Sequence, residues 1–228
     1  MPDGRRVLSL QFAESAGLPL SVLAVGAHPD DIEIGAGGLL LTLARNHPGL
    51  TVRYVLLTGS PERKLEARKA AHAFLTHVTD ANLMIDLYDL PEGRLPARWE
   101  AVRDTLHSVA RDFSPDLIVA PSAGDAHQDH RVIGEIMPTA FRNNLILNYE
   151  IPKWDGDMSR PTVYVPLPED LARRKAQLLD SCYPSQRVRD WWDAELFLGL
   201  ARLRGAECHS RYAEGFGCSK MTLDSSSS

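Results

Sequence analysis

Two short stretches carry residues whose types and spacing could do chemistry: "HPDD" at 28–31 and "HQDH" at 127–130. The adjacent carboxylates Asp30 and Asp31 repel each other, and beside the apolar run "LPLSVLAVGA" they are poorly solvated. A cation between them removes both costs. Two histidines and a carboxylate make a standard catalytic zinc set, with a further position open for water. A bound divalent ion makes that water acidic near neutral pH and polarises a carbonyl oxygen. It also reverses the local pKa logic, so that both acids stay ionised. One of Asp30 and Asp31 is therefore expected to bind the cation, and the other to handle protons beside it.

Each motif alone also has a plain structural reading. Asp is a favoured N-cap, so "HPDD" could be a turn that starts a helix, and "HQDH" could be a polar surface loop. Short motifs often mislead; here the two together, each after a strand-like apolar run, point to a metal site. His47, His72, His77, His107 and His209 stand singly and read as structural or solvated. The "IGAGG" stretch at 34–38 suggests a phosphate loop, but the dinucleotide fingerprint places G-x-G-x-x-G directly after the first strand. Here that turn is "GAHPDD", whose carboxylates repel a pyrophosphate. Gly35, Gly37 and Gly38 read instead as small residues that let a helix pack close to a sheet.

The elements that must position the motifs follow from periodicity. The runs 20–27, 51–57, 83–88 and 116–121 are short, apolar and rich in branched or aromatic residues, and they read as strands buried on both faces. Segments 37–46, 62–77 and 97–113 have helical periodicity; Ser60 is an N-cap with Pro61 at the first helical position. This alternation predicts right-handed crossovers and a mostly parallel α/β sheet flanked by helices. In such sheets ligands bind beyond the carboxyl ends of the strands, near the switch in strand order. Both motifs fall there. Beyond Phe141 the pattern reads as a Pro-rich loop at 148–168 around a short strand "TVYV", then helices at 169–182 and 190–204.

Bulk properties set the remaining bounds. The 228 residues are 44% hydrophobic and 24% charged, an ordinary globular composition that fits a single domain over 1–220, with a disordered Ser-rich tail at 221–228. A net charge of −5 argues against nucleic acid as a partner. No apolar run reaches the roughly 18 residues of a membrane span, and the N-terminal segment has no signal-peptide pattern. Three cysteines without C-x-x-C spacing read as free thiols in a reducing cytoplasm.

With "AHPDD" after the first strand and "HxDH" after a later one, residues 20–215 resemble the LmbE-like (PIG-L) zinc-dependent N-acetylglucosaminyl deacetylases. The resemblance implies a Rossmann-like α/β fold and a cytoplasmic hydrolase that removes an N-acetyl group from an amino-sugar conjugate. It implies Zn²⁺ held by His28, Asp31 and His130, although two N and one O ligand would also hold other divalent transition metals. Asp30 would be the general base, His127 would steady the oxyanion or protonate the leaving amine, and Asp129 would orient His127. Arg63 and Glu92 would contact the sugar; Glu92 stands where the family more often has Asp, and Gln128 where it often has Pro. The segment "RGAECHSRYAEGF" would complete the pocket wall. Specificity is expected in loop 148–168, where Trp154, with Tyr149 and Tyr164 nearby, could either stack on a sugar ring or pack in the fold or a subunit contact. Relatives that form trimers or hexamers imply a homo-oligomer. Two other functions fit the sequence: an amidase acting on a larger amide of a sugar conjugate, and a non-catalytic sugar- or nucleotide-binding module.

Overall fold

The computed structural model describes residues 19–222. The expectations placed on the N-terminal segment and on the serines after 222 fall outside these residues. Seven strands form one sheet in the order β3-β2-β1-β4-β5-β7-β6. The strands β1 (Ser21–Gly26), β2 (Thr51–Leu56), β3 (Leu83–Leu87), β4 (Leu117–Ala120) and β5 (Leu145–Tyr149) run parallel. The last two, β6 (Val163–Leu167) and β7 (Tyr212–Gly217), are antiparallel additions at one edge. The fold is the mostly parallel α/β sheet that the alternation of elements predicts, in the Rossmann-like form that the resemblance implies.

Helices cover both faces. One face packs against α1 (Asp31–Asn46), α2 (Pro61–Phe74), α5 (Glu169–Cys182) and α6 (Ala194–Glu207), whose Leu39, Phe74, Leu179 and Phe197 join the larger apolar core. The other face packs against α3 (Trp99–Asp112) and α4 (Gln128–Ala140), through Leu106, Val109, Ile133 and Met137. Strands buried on both sides need near-continuous apolar sequence; β1 and β4 supply it, with almost every residue buried.

Three elements differ from the sequence reading. Helix α1 begins at Asp31 instead of residue 37, so the metal motif runs directly into a helix N-terminus. Its glycines sit where neighbours press in. A Cβ on Gly35 would lie 2.5 Å from Tyr149 Cγ, one on Gly37 2.6 Å from Phe74 Cε1, and one on Gly38 2.5 Å from Leu167 Cδ1. The segment around 145–149, read as the start of a loop, is the parallel strand β5. "RGAECHSRYAEGF" does not line the cavity: it ends α6 and runs into β7, which is hydrogen-bonded between β5 and β6. Its Glu214 is buried there because Lys175 Nζ and the backbone N–H groups of Gly38 and Leu39 all donate to it at 2.7 Å.

The chain order sets the site. Elements β1 to β3 grow to one side of β1, and β4 and β5 to the other, so the strand order reverses between β1 and β4. The crevice outside their carboxyl ends is the natural ligand site of such a sheet. His28 follows β1 and His127 follows β4.

Candidate metal centre

At the end of β1 the backbone turns sharply, and Asp30 takes a left-handed conformation with φ of 99°. A non-glycine residue there is strained, and such strain concentrates at functional sites. Asp31 opens α1, and its Oδ2 accepts from the N–H groups of Ala27 at 2.9 Å and His28 at 2.8 Å. The turn thus fixes one carboxylate by its own backbone and leaves the other facing a cavity of about 230 Å³.

The second motif opens α4. His127 is the N-cap, and its Nδ1 accepts from the Asp129 N–H at 3.2 Å. That bond puts the ring proton on Nε2, the nitrogen free to face a ligand. Burial, with the charges of His28 and His130, lowers the His127 pKa, so this ring is a neutral donor. Close packing aligns the loop before it: the Cα of Ala123 lies 2.8 Å from where a Cβ on Gly134 would be.

The two motifs meet. His28 Nδ1 and His130 Nε2 are 3.2 Å apart, Asp31 Oδ2 is 3.2 Å from His130 Nε2, and it is 3.5 Å from His28 Nδ1. Four ligands set tetrahedrally about a zinc ion at 2.0–2.1 Å stand about 3.3 Å apart, so this triangle has the size of one face of such a site. A second set, the ring nitrogens of His28, His127 and His130, lies within 4.8 Å of one another. The tighter spacing belongs to the set with Asp31.

The far nitrogens of His28 and His130 are each braced by a carboxylate. His28 Nε2 lies 3.1 Å from Asp129 Oδ2, and His130 Nδ1 lies 2.9 Å from Asp125 Oδ2. Metal-binding histidines almost always have such partners, which fix the tautomer and ring orientation. The carboxylate of Asp129 is held in turn by the N–H groups of Gly93 at 2.6 Å and Leu95 at 3.0 Å. It therefore orients His28, whereas the expected partner, His127, meets only the Asp129 backbone. Asp125 was missed in the sequence, although "GDAHQDH" places it two residues before His127. Its Oδ1 accepts from the His127 N–H at 2.8 Å and Lys153 Nζ at 3.1 Å, and Lys153 is held by Asp157 at 3.0 Å.

Electrostatics follow from this packing. Burial opposes a charged His28, but Asp31 and Asp129 outweigh it and raise its pKa to about 10. Burial likewise opposes a charged His130, and Asp31 and Asp125 raise its pKa to about 9. Asp31, despite burial, is held well below the usual carboxylate range by His130 and His28. Burial pushes Asp30 up to about 7, against the pull of Arg63. These are the directions expected where a carboxylate and two imidazoles already hold the positive charge that a cation would bring.

The sugar-contact expectations fall at the same cavity. Arg63 donates through one terminal nitrogen to Pro29 O at 2.6 Å and Asp30 Oδ2 at 3.1 Å, and through the other to Glu92 Oε1 at 3.3 Å. Its Nε is buried without a partner among the described residues. Of the loop aromatics, Trp154 lines the cavity. Tyr149 is core, its hydroxyl donating to Val25 O at 2.8 Å, and Tyr164 lies on β6 and does not line the cavity. A larger groove of about 550 Å³ lies between the carboxyl-terminal ends of α3 and α4, but none of the expected site residues lines it.

Comparison with known proteins gives a consistent picture. The family model described as PIG-L, GlcNAc-PI de-N-acetylase, matches residues 23–141. The uncharacterized deacetylase YaiS of Escherichia coli (strain K12) is 30% identical over 169 residues, 64% of this chain and 82% of that protein. Among solved structures, the N,N'-diacetylchitobiose deacetylase from Pyrococcus horikoshii superposes with a TM-score of 0.67 at 24% identity, over 88% of this chain and 84% of that one. GalB, the 4-carboxy-2-hydroxymuconate hydratase of Pseudomonas putida KT2440, superposes with a TM-score of 0.68 at 16% identity, over 92% of this chain and all of that one. At such identities these two likenesses establish the fold alone, and a fold that also serves a hydratase does not by itself choose a reaction.

Proposed function

The chain belongs to the GlcNAc-PI de-N-acetylase (PIG-L, LmbE-like) family, and on that premise we propose that it is a metal-dependent hydrolase removing an N-acetyl group from an N-acetylglucosamine-type amino-sugar conjugate. The observation that carries this reading is the triangle of His28 Nδ1, Asp31 Oδ2 and His130 Nε2, with a carboxylate behind each histidine. Zn²⁺ is the cation this donor set suits best, and Fe²⁺ or Co²⁺ would also fit two nitrogens and an oxygen. Held there, it would supply a Lewis acid for the acyl oxygen and make water acidic near neutral pH.

The chain's own residues divide the remaining work. Asp30 is the general base. Arg63 holds its Oδ2 at 3.1 Å, while its Oδ1 has no hydrogen-bond partner among the described residues. A base positioned in this way contributes typically ~10²–10⁴-fold. His127 presents its Nε2 proton to the oxygen of the amide as negative charge grows on it, and preorganised donors of this kind are among the largest contributions in acyl transfer. Asp125 and Asp129 are positioning residues that hold His130 and His28. Arg63 and Glu92 form the sugar side of the pocket, with Arg63 steadying Asp30 as well. A cytoplasmic setting is part of this reading; no helix among the described residues is long and apolar enough to cross a membrane.

The test is acetate release from N-acetylglucosamine conjugates by the purified protein, measured as prepared, after chelation, and after Zn²⁺ is restored. Release that chelation abolishes and Zn²⁺ restores is expected. Zinc-loaded protein that releases no acetate from any such conjugate contradicts the proposal.

A further inference from the structure

The cavity has a second wall that the reaction does not use. Trp154, Arg189 and Trp191 line the same cavity as His28, Asp31 and His130. The guanidinium carbon of Arg189 lies 5.5 Å from the ring centre of Trp154 and 6.0 Å from that of Trp191. The two indoles meet edge to face at 5.9 Å. Trp154 is 64% exposed, so part of its indole is open to a ligand. The indole N–H of Trp191 is buried without a partner among the described residues.

The charges of the cavity single out Arg189. Three Arg or Lys side chains line it. Arg63 is paired with Asp30 and Glu92, and Lys153 with Asp125 and Asp157. Arg189 has no carboxylate partner among the described residues; its Nε donates to Gln186 Oε1 at 2.7 Å, and its two terminal nitrogens are left open. Asp155 lines the same cavity without pairing to it. Asp190 is taken by Trp154, whose Nε1 donates to its Oδ1 at 3.2 Å. Indole faces beside a guanidinium exclude water and strengthen any charge-assisted bond it makes. A guanidinium with two open nitrogens matches the geometry of a phosphate or carboxylate.

Resting on the de-N-acetylase reading, we propose that Trp154, Arg189 and Trp191 form an aglycone subsite that selects amino sugars carrying an anionic group, phosphate or carboxylate, beyond the acetylated ring. The ring would lie between the metal centre and this wall, with its anion on Arg189 and its carbon skeleton on the indoles.

The experiment uses the zinc-loaded full chain and three probes: N-acetylglucosamine 1-phosphate, carboxymethyl N-acetylglucosaminide and methyl N-acetylglucosaminide. Acetate release gives kcat/KM, and calorimetric binding gives Kd independently of turnover. The wild type is expected to favour at least one anionic probe over the methyl glycoside by tenfold or more. Arg189→Met should bring that ratio close to one, and Arg189→Lys should retain part of it. Trp154→Ala, at an exposed position, should weaken the anionic probe's binding without a folding risk. The better anionic probe tells phosphate from carboxylate. A wild type that treats all three probes alike, or an Arg189→Met protein that keeps the full ratio, overturns the subsite. Preferential binding of the anionic probe with no acetate released leaves the subsite standing and removes the hydrolase reading. Acetate release without preference does the reverse.

Discussion

The carboxylate of Asp125 lies 2.9 Å from Nδ1 of His130, on the opposite side of the ring from the nitrogen that faces Asp31. The same Asp125 is tied to Lys153 at 3.1 Å, so a residue from the loop after β5 reaches His130 through one intermediate. Partners of this kind set ligand orientation and basicity.

Asp125→Asn should therefore lower Zn²⁺ affinity about 10–100-fold while the protein stays folded. Lys153→Met should lower it less, since it loosens Asp125 without removing it. Competition titration with a chelating dye measures both. Affinity in Asp125→Asn equal to wild type would show that the contact does not support the ligand.

Asp30→Asn should keep the metal and lose roughly 10²–10⁴-fold in kcat, because only the proton acceptor is removed. Paired measurements of zinc content and acetate release separate the two effects. Wild-type turnover in this variant would remove Asp30 from the mechanism.

Gly134 lies where α4 packs on the loop before the second motif, and a Cβ there would overlap the backbone of Ser122 and Ala123. Backbone cannot swing aside as a side chain can. Gly134→Ala should cost about 1–3 kcal/mol by overpacking and shift the loop at 122–126, with Asp125, relative to His130 on α4. A lower urea midpoint together with weaker zinc binding is the expected result.

Glu33 gives a pH dependence of stability. It is buried in α1, where Tyr183 donates to its Oε2 at 2.8 Å and Tyr54 to its Oε1 at 3.0 Å. Burial raises its pKa from 4.5 to about 7. Between these values the folded chain keeps a proton that the unfolded chain has released, so this group's stabilisation is complete below 4.5 and lost as the pH passes about 7. Glu33→Gln lacks that titration. Its stability relative to wild type, from urea unfolding, should rise between pH 4.5 and 7 and level off above.

Much of this arrangement was legible in the sequence, for reasons that lie in particular residues. The strands β1 and β4 are apolar throughout because both their faces are covered, and they end in the two His/Asp motifs that the switch in strand order brings together. The start of α1 was hidden by "DIEI", whose acids sit beside the metal-type motif; the glycines that follow, read as places where a helix packs close to a sheet, lie where Tyr149, Phe74 and Leu167 press on the helix. Strand β7 was hidden by Glu214, a residue that belongs in a central strand only when a distant lysine such as Lys175 meets it. Lys153, Arg189 and Trp191 reach the cavity from loops far along the chain from either motif, and no local pattern marks such residues. Asp125 could have been found, since a metal-binding histidine needs a partner on its other nitrogen and "GDAHQDH" offers a carboxylate two residues before His127.

The central claim is that Asp31, together with His28 and His130, holds the cation, with His127 left free to act on the substrate. The most direct test is bound zinc per chain, by elemental analysis after dialysis, in wild type, Asp31→Ala and His127→Ala. The account predicts about one zinc in wild type and His127→Ala, and little in Asp31→Ala. Zinc retained by Asp31→Ala and lost by His127→Ala would contradict it, and would assign the metal to the three histidines instead.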